Sequence, residues 1–548
     1  MEYITAQDLY QRIEEALATE AQGVANHILH DTLVLCCHEG LRHTRHAFGN
    51  LSSQVDYLCR DRHMASQDVL AIQRMRRHSN SDEPLSPEDL GYDCRALALF
   101  VSAVFQTSVP ASLVERIPAT GRAAQGNPIS SHAYLRCVVR SFDDETIHAT
   151  VVNQDCDEEV VTIDYRHTPD YIDFSYLTRI LQEGMTLNLL DCHREDERLV
   201  PGLIIVEPDY LLDISAIASC FEDYGHHPLL FTLHRLKERQ NSKHILLGNF
   251  AGSALDDLIN HAQYRFADTL QRNFREKAIE YACCPDFDPS EFKKLAESQV
   301  NNMQAVVAEL FGRYNKEKAI LEPSFICEKL GIQGRVDLMT TDLQLLVEQK
   351  SGQNYFLKRH TRNRYGSLHV EKHYVQVLLY FGVLSYNFGL SPKHADIYLL
   401  YSKYPLPDGL MQVEPHRKLL REALKYRNQV VALEYWMAFH GLERILPHLH
   451  VSTLNTEHLD DYFFHAYLQP QIEAVTTPLQ TMKPLERAYF CRMMRFVMRE
   501  QIVAKVGAQE GVGSAGADLW NMPLSMKRET GNIFTRLRIV DKKSVGTG

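Results

Sequence analysis

Hydrophobic positions along the chain change period from helical to strand-like and back, and the changes mark out its parts. Leu9, Ile13, Ala16 and Leu17 recur at helical spacing, and a second such run passes through Ile28 to Leu35, so residues 1–78 read as helical. Ser79 to Asp89 is polar and proline-bearing, a linker by composition, and a helix is predicted at about Cys94 to Phe105. A loop follows through Gly121, Gly126 and Pro128. From Ala133 to Val206 alternation takes over, with β-branched runs at Leu135–Arg140, Ile147–Val152, Glu159–Asp164, Leu187–Leu190 and Leu203–Val206. Five short strands predict a small barrel of the OB type, a fold that often holds single strands. Its acidic turns and scarce aromatics keep an inert structural barrel equally open.

Helical patterns return over residues 211–320, including one predicted helix from Leu255 to Arg275 that carries Tyr264 and Arg265. An apolar run at Leu343 to Val347, a strongly apolar helix beginning near Val370 and a strand within His394 to Tyr401 come next. Helices are predicted again at Val413 to Met437 and Leu485 to Val506, and then a flexible stretch at Gly511 to Gly516.

Composition narrows the class. Apolar content of 45% and charged content of 23% are ordinary for a soluble globular chain. No apolar run approaches the ~18 residues of a spanning helix, so no membrane partner is expected. The 12 cysteines include no CxxC pair and no signal-peptide pattern follows Met1, which predicts a reduced, cytoplasmic setting. A net charge of −12 argues against indiscriminate coating of DNA, so a nucleic-acid enzyme must concentrate its cations locally. Lys358, Arg359, Arg362, Arg364, Tyr365 and Lys372 form one such concentration, opposed by Glu371 alone and suited to phosphate contacts and base stacking.

Chemistry converges on the segment next to it. Asp337 is followed by the turn-forming Thr340-Thr341-Asp342, and then by a strand ending in Glu348-Gln349-Lys350. A hairpin would set Asp337 beside Glu348, while the strand period of two puts Glu348 and Lys350 on one face. Two carboxylates are what Mg²⁺ or Mn²⁺ takes from a protein, and an ammonium beside them can orient water or stabilise charge on a phosphate. The same three residues could also be a surface ion pair. Gln376 and Tyr380, four apart on a buried helix face, require polar partners and tip the reading toward a site.

The order Gly331-Ile-Gln-Gly334-Arg-Val-Asp337, Glu348-Gln-Lys350 and Gln376-Val-Leu-Leu-Tyr380 resembles the RecB-like branch of the PD-(D/E)xK nucleases, and most of all the nuclease half of replicative helicase–nucleases. Glu322-Pro-Ser-Phe, Pro208 to Phe221 and Leu246-Leu-Gly248 extend the likeness over about residues 200–440. The resemblance implies an α/β restriction-endonuclease-like core, metal ligation by Asp337 and Glu348, catalysis by Lys350, and positioning of the lysine and DNA by Gln376 and Tyr380. Many relatives carry a metal-binding His four residues after the Gly corresponding to Gly248, where this chain has Gly252. Others hold an iron–sulfur cluster. After Tyr380 this chain has only Cys491, so no cluster is expected.

The resulting expectation is a helical region over 1–130, an OB-like barrel over 131–207, a nuclease domain over 208–440 and a helical extension over 441–548. The extension would lead toward a helicase motor whose Gly-x-x-x-x-Gly-Lys-Ser/Thr loop is not in these residues. The expected function is Mg²⁺- or Mn²⁺-dependent hydrolysis of DNA, at single-stranded ends or flaps, in replication or repair. The alternatives are a catalytically silent scaffold that binds strands and an accessory segment of an ATP-dependent helicase.

Overall fold

The computed structural model describes residues 4–19, 22–42, 51–79, 85–122, 131–152, 160–168, 172–195, 197–238, 241–359, 368–390, 394–507, 516–521, 534 and 536–538. The glycine-bearing stretches at 126–128 and 511–515 and residues 80–84 of the 79–89 linker lie outside them. No helix among them is long and apolar enough to cross a membrane. The chain divides into two compact units that cut across the four segments read from sequence. One comprises 1–211, 428–445 and 483–538; the other comprises 212–427 and 446–482 with the last ten residues.

The first unit opens with helices Ala6–Ala18, Gln22–Gly40, Leu51–Asp61, Ser66–Ser79 and Pro87–Phe105. Their starts follow local chemistry. Thr5 and Asp8 form a reciprocal capping box, and Ser86 caps a helix whose first residue is Pro87. Leu9, Ile13, Leu29, Leu33, Leu97 and Phe100 make its core, together with Cys36, Cys37, Cys59 and Cys94. Burial pushes the Cys36, Cys37 and Cys94 thiols up, which keeps them protonated and unreactive.

Five strands then close a small barrel, in the order Ser131–Phe142, Thr146–Val151, Val160–Asp164, Arg198–Val200, Thr186–Glu195 and back to the first. The closing member Arg198–Val200 is only three residues long, too short for a period to reveal, and it pairs parallel with Val160–Asp164. Leu203–Val206, expected as the fifth member, pairs outside the ring against Thr186–Glu195. Its open edge is closed by Asn428, whose amide accepts from Val206 N–H at 3.0 Å and donates to the Ile204 carbonyl at 2.7 Å. An exposed strand edge leaves such groups wanting partners, and one buried amide supplies both.

The second unit centres on a five-stranded mixed sheet, in the order Ala319–Leu321, Leu338–Thr340, Leu345–Lys350, Asp396–Tyr401, Leu410–Gln412. Helices Lys243–Asn260 and Pro289–Arg313 cover one face through Leu246, Phe250, Met303 and Leu310 packed on Leu345, Val347, Tyr398 and Leu400. The helix Glu371–Phe388 connects the parallel strands Leu345–Lys350 and Asp396–Tyr401. A second, three-stranded sheet holds Ile332–Arg335 between Ser324–Cys327 and Leu212–Asp213.

Two helix predictions are corrected. The expected continuous helix from Leu255 to Arg275 is two helices, Lys243–Asn260 and Phe266–Glu276. Asp257, buried, accepts from Thr269 at 2.5 Å and Arg272 at 2.7 Å, and so ties the second helix back onto the first. The helix expected from Val413 begins at Arg417, because Leu410–Gln412 joins the sheet as its edge strand and Val413 N–H bonds the Ile397 carbonyl.

Candidate active site

The strand Leu345–Lys350 places the chemistry by alternation. Leu345 and Val347 go to the packed helices, so Glu348 and Lys350 are left to face the helix Glu371–Phe388. Antiparallel pairing of Leu338 with Val347 continues by one residue to set Asp337 opposite Glu348, and Gln349 N–H donates to Asp337 Oδ2 at 2.5 Å. The expected hairpin therefore brings the two carboxylates to one strand end.

Gln376 closes the arrangement from the helix. Its Nε2 donates to Glu348 Oε1 at 2.6 Å, and its Oε1 accepts from Lys350 Nζ at 2.9 Å. Lys350 Nζ also donates to Glu348 Oε1 at 2.8 Å. One glutamate oxygen thus receives two donors. The other, Oε2, is buried with no partner, although Glu348 is only 3% exposed. A buried carboxylate oxygen left unpaired costs of order 1–3 kcal/mol or more, so an orphan here points to a ligand. An ammonium has three donors; two of Lys350's are engaged, and the side chain is one-fifth exposed.

The surrounding charge is unbalanced. Burial pushes the Glu348 carboxyl up, the Asp337 charge adds to the shift and Lys350 opposes it. Asp337 is raised by burial and by Glu322, against Lys350 and the Gln349 N–H. Glu322 N–H donates to the Asp337 carbonyl at 3.0 Å, and its carboxylate pairs with Arg335 at 3.1 Å. Glu322 sits at φ 48°, a left-handed conformation that costs a non-glycine residue about 1–2 kcal/mol.

A further acid went unread in the sequence. Asp256, on the helix Lys243–Asn260, is pushed up to about 7 by burial and then by the charges of Glu322, Asp337 and Asp257. Gly248, Gly252 and Asp256 share one helix row, four residues apart. A Cβ at Gly248 would lie 3.1 Å from Ser351 Oγ, just beyond Lys350, whereas one at Gly252 would meet nothing within 4 Å. Position 252 therefore faces open space, and the acid stands one turn further on. An Asp on the glycine row, four residues past Gly252, was the signal available.

The remaining expected site residues are placed as follows where the structure describes them. Tyr380 is 2% exposed and donates its hydroxyl to the Arg335 carbonyl, bracing the backbone two residues before Asp337. Lys372 is turned toward both carboxylate oxygens of Glu222 at 3.4 Å. Arg362, Arg364 and Tyr365 lie outside the described residues, as do the side chains of Lys358 and Arg359.

Two carboxylates with an orphaned oxygen fit a divalent cation completed by water and phosphate oxygens. Among the described residues no three His, Cys, Asp or Glu side chains are grouped so as to hold a metal ion on their own. Replacing Gln376 by Leu, similar in volume, removes partners from both Glu348 and Lys350. The expected loss is about 1–3 kcal/mol, measured as a lower urea midpoint with an unchanged slope. The chain matches no family model, and no curated protein matches it.

Proposed function

We propose that the chain is a metal-dependent nuclease that hydrolyses phosphodiester bonds of DNA, with single-stranded ends or flaps as substrate. The observation that carries this reading is the buried, unpartnered Oε2 of Glu348, set beside Asp337 and under Lys350. Asp337 and Glu348 would hold Mg²⁺ or Mn²⁺, which when bound supplies a more acidic water and neutralises charge on the phosphate. Lys350 keeps a third N–H for a water or a phosphoryl oxygen, and Gln376 fixes the direction of that N–H by holding the first two groups in place. A small closed five-stranded barrel supports a single-stranded substrate, since barrels of this kind often hold single strands.

The test is hydrolysis of end-labelled single-stranded DNA by the full chain in Mn²⁺, with an Asp337→Asn chain alongside. Product from the first and none from the second supports the reading; equal product from both removes it. The competing reading is a nuclease-type scaffold that only binds strands, and the open register at Gly252 favours it. Titration calorimetry with Mn²⁺ separates them, because a scaffold shows no heat that depends on Asp337.

A further inference from the structure

The first compact unit carries a surface that the metal site does not use. Its helix Pro484–Val506 presents Leu485, Tyr489, Arg492, Phe496, Arg499 and Val503 on one narrow face, at alternating spacings of four and three residues. The face is open: Leu485 is 82% exposed, Tyr489 67% and Phe496 56%. Arg499 lies over the ring of Phe439 at 5.4 Å, and both Arg495 and Arg499 donate to the Ala438 carbonyl, at 3.2 and 2.9 Å. These contacts set the helix against a cavity of about 350 Å³, walled by Tyr57, Tyr435, Trp436 and Phe439 with Arg60 and His440. Trp436 and His440 stack, their ring centroids 5.1 Å apart.

We infer that this face and cavity bind a single-stranded nucleic acid, with Tyr489 and Phe496 stacking on bases, Arg492 and Arg499 meeting phosphates, and the Trp436 cavity taking one base. Three observations choose this partner over a protein. Within the helix, five cationic residues stand against two acidic ones, although the whole chain carries −12. Aromatics alternate with arginines along the face, the pairing that a polyanion bearing flat bases requires. Tyr489 and Phe496 are two turns apart, about 10 Å along the axis, so each meets a different base. Inside the cavity, Arg60 is already paired with Glu183, and Glu207 accepts from Thr186 N–H at 3.0 Å. Carboxylates there repel phosphate and leave room for a base edge, in a volume within the usual range for a small ligand.

The inference rests on the nucleic-acid reading only for its choice of partner, so its test runs without hydrolysis. The full chain in EDTA is titrated with fluorescein-labelled oligothymidylate, followed by anisotropy and by tryptophan emission. Trp436 and Trp520 are the only tryptophans. Binding should quench part of the emission, and Trp436→Phe should abolish that quench. Tyr489→Ala with Phe496→Ala should weaken binding by at least about tenfold. Arg492→Ala should lower the salt slope by about 0.7. All four side chains changed are at or near the surface, and unchanged melting temperatures confirm folding. Wild-type affinity in the double variant, or a quench that survives Trp436→Phe, overturns the proposal. A double variant that keeps DNA affinity but shifts the mass seen by light scattering overturns it too, by marking the face as a contact between two copies. Loss of the nuclease reading shows itself separately, as binding without hydrolysis in Mn²⁺.

Discussion

Replacing Lys350 by Ala is expected to lower hydrolysis of labelled single-stranded DNA in Mn²⁺ by about a thousandfold, the combined scale of proton-transfer and electrostatic contributions. The fold should survive. Lys350 is one-fifth exposed at a strand end, and Gln376 still donates to Glu348 in its absence. Lys350→Arg should not rescue, because a planar fork cannot meet Glu348 and Gln376 from one nitrogen as Nζ does at 2.8 and 2.9 Å. Rates are read by single-turnover cleavage and folding by circular dichroism. Cleavage within a few-fold of wild type would remove Lys350 from the mechanism.

The second large effect is on stability, and it depends on pH. Asp256 lies up at about 7, and Asp337 and Glu348 are also raised, chiefly by burial. A carboxyl whose folded value exceeds its unfolded value near 4 takes stability away as pH climbs between the two, because the unfolded chain gives up that proton first. Without metal, the cluster should therefore weaken the second unit as pH rises from about 4 to about 7. A divalent cation competes with those protons, so it helps most once they have gone. At pH 8, Mn²⁺ at a hundredfold excess over its dissociation constant should raise the melting temperature by about 5 °C; at pH 5 the gain should be about 1 °C or less. Asp337→Asn should remove the gain at both. A rise of equal size at pH 5 and pH 8 would show that the cation binds elsewhere.

Much of this centre could be read from residue order, for identifiable reasons. A strand buried on both faces is a dense apolar run, so Glu348 and Lys350 at its end stood out, and turn chemistry at Thr340 to Asp342 set Asp337 opposite. The helix Glu371–Phe388 announced itself by length and apolarity. What was hidden depends on distance in sequence. Asp256 acquires meaning only when Glu322 and Asp337 arrive beside it. The break at His261 to Arg265 has neither Gly nor Pro to mark it, and follows from Asp257 capturing Thr269 and Arg272. Arg198–Val200 completes the barrel with three residues, fewer than any periodicity can register. Gln376 was expected to hold Lys350 and does so, whereas Tyr380 spends its hydroxyl on the Arg335 carbonyl.

The parallel pairing of Leu345–Lys350 with Asp396–Tyr401 has a consequence for synthesis. When residue 350 leaves the ribosome, the Asp337–Glu348 hairpin can already close, since its pairing is local. Gln376 and the neighbouring strand have yet to emerge. A long crossover closes slowly relative to a hairpin, so the nascent chain passes through an interval with paired acids and no ceiling over the lysine. Catalytic competence would therefore switch on late, after Tyr401 has emerged, and a translation product arrested before that point should bind divalent ions weakly and leave DNA uncut.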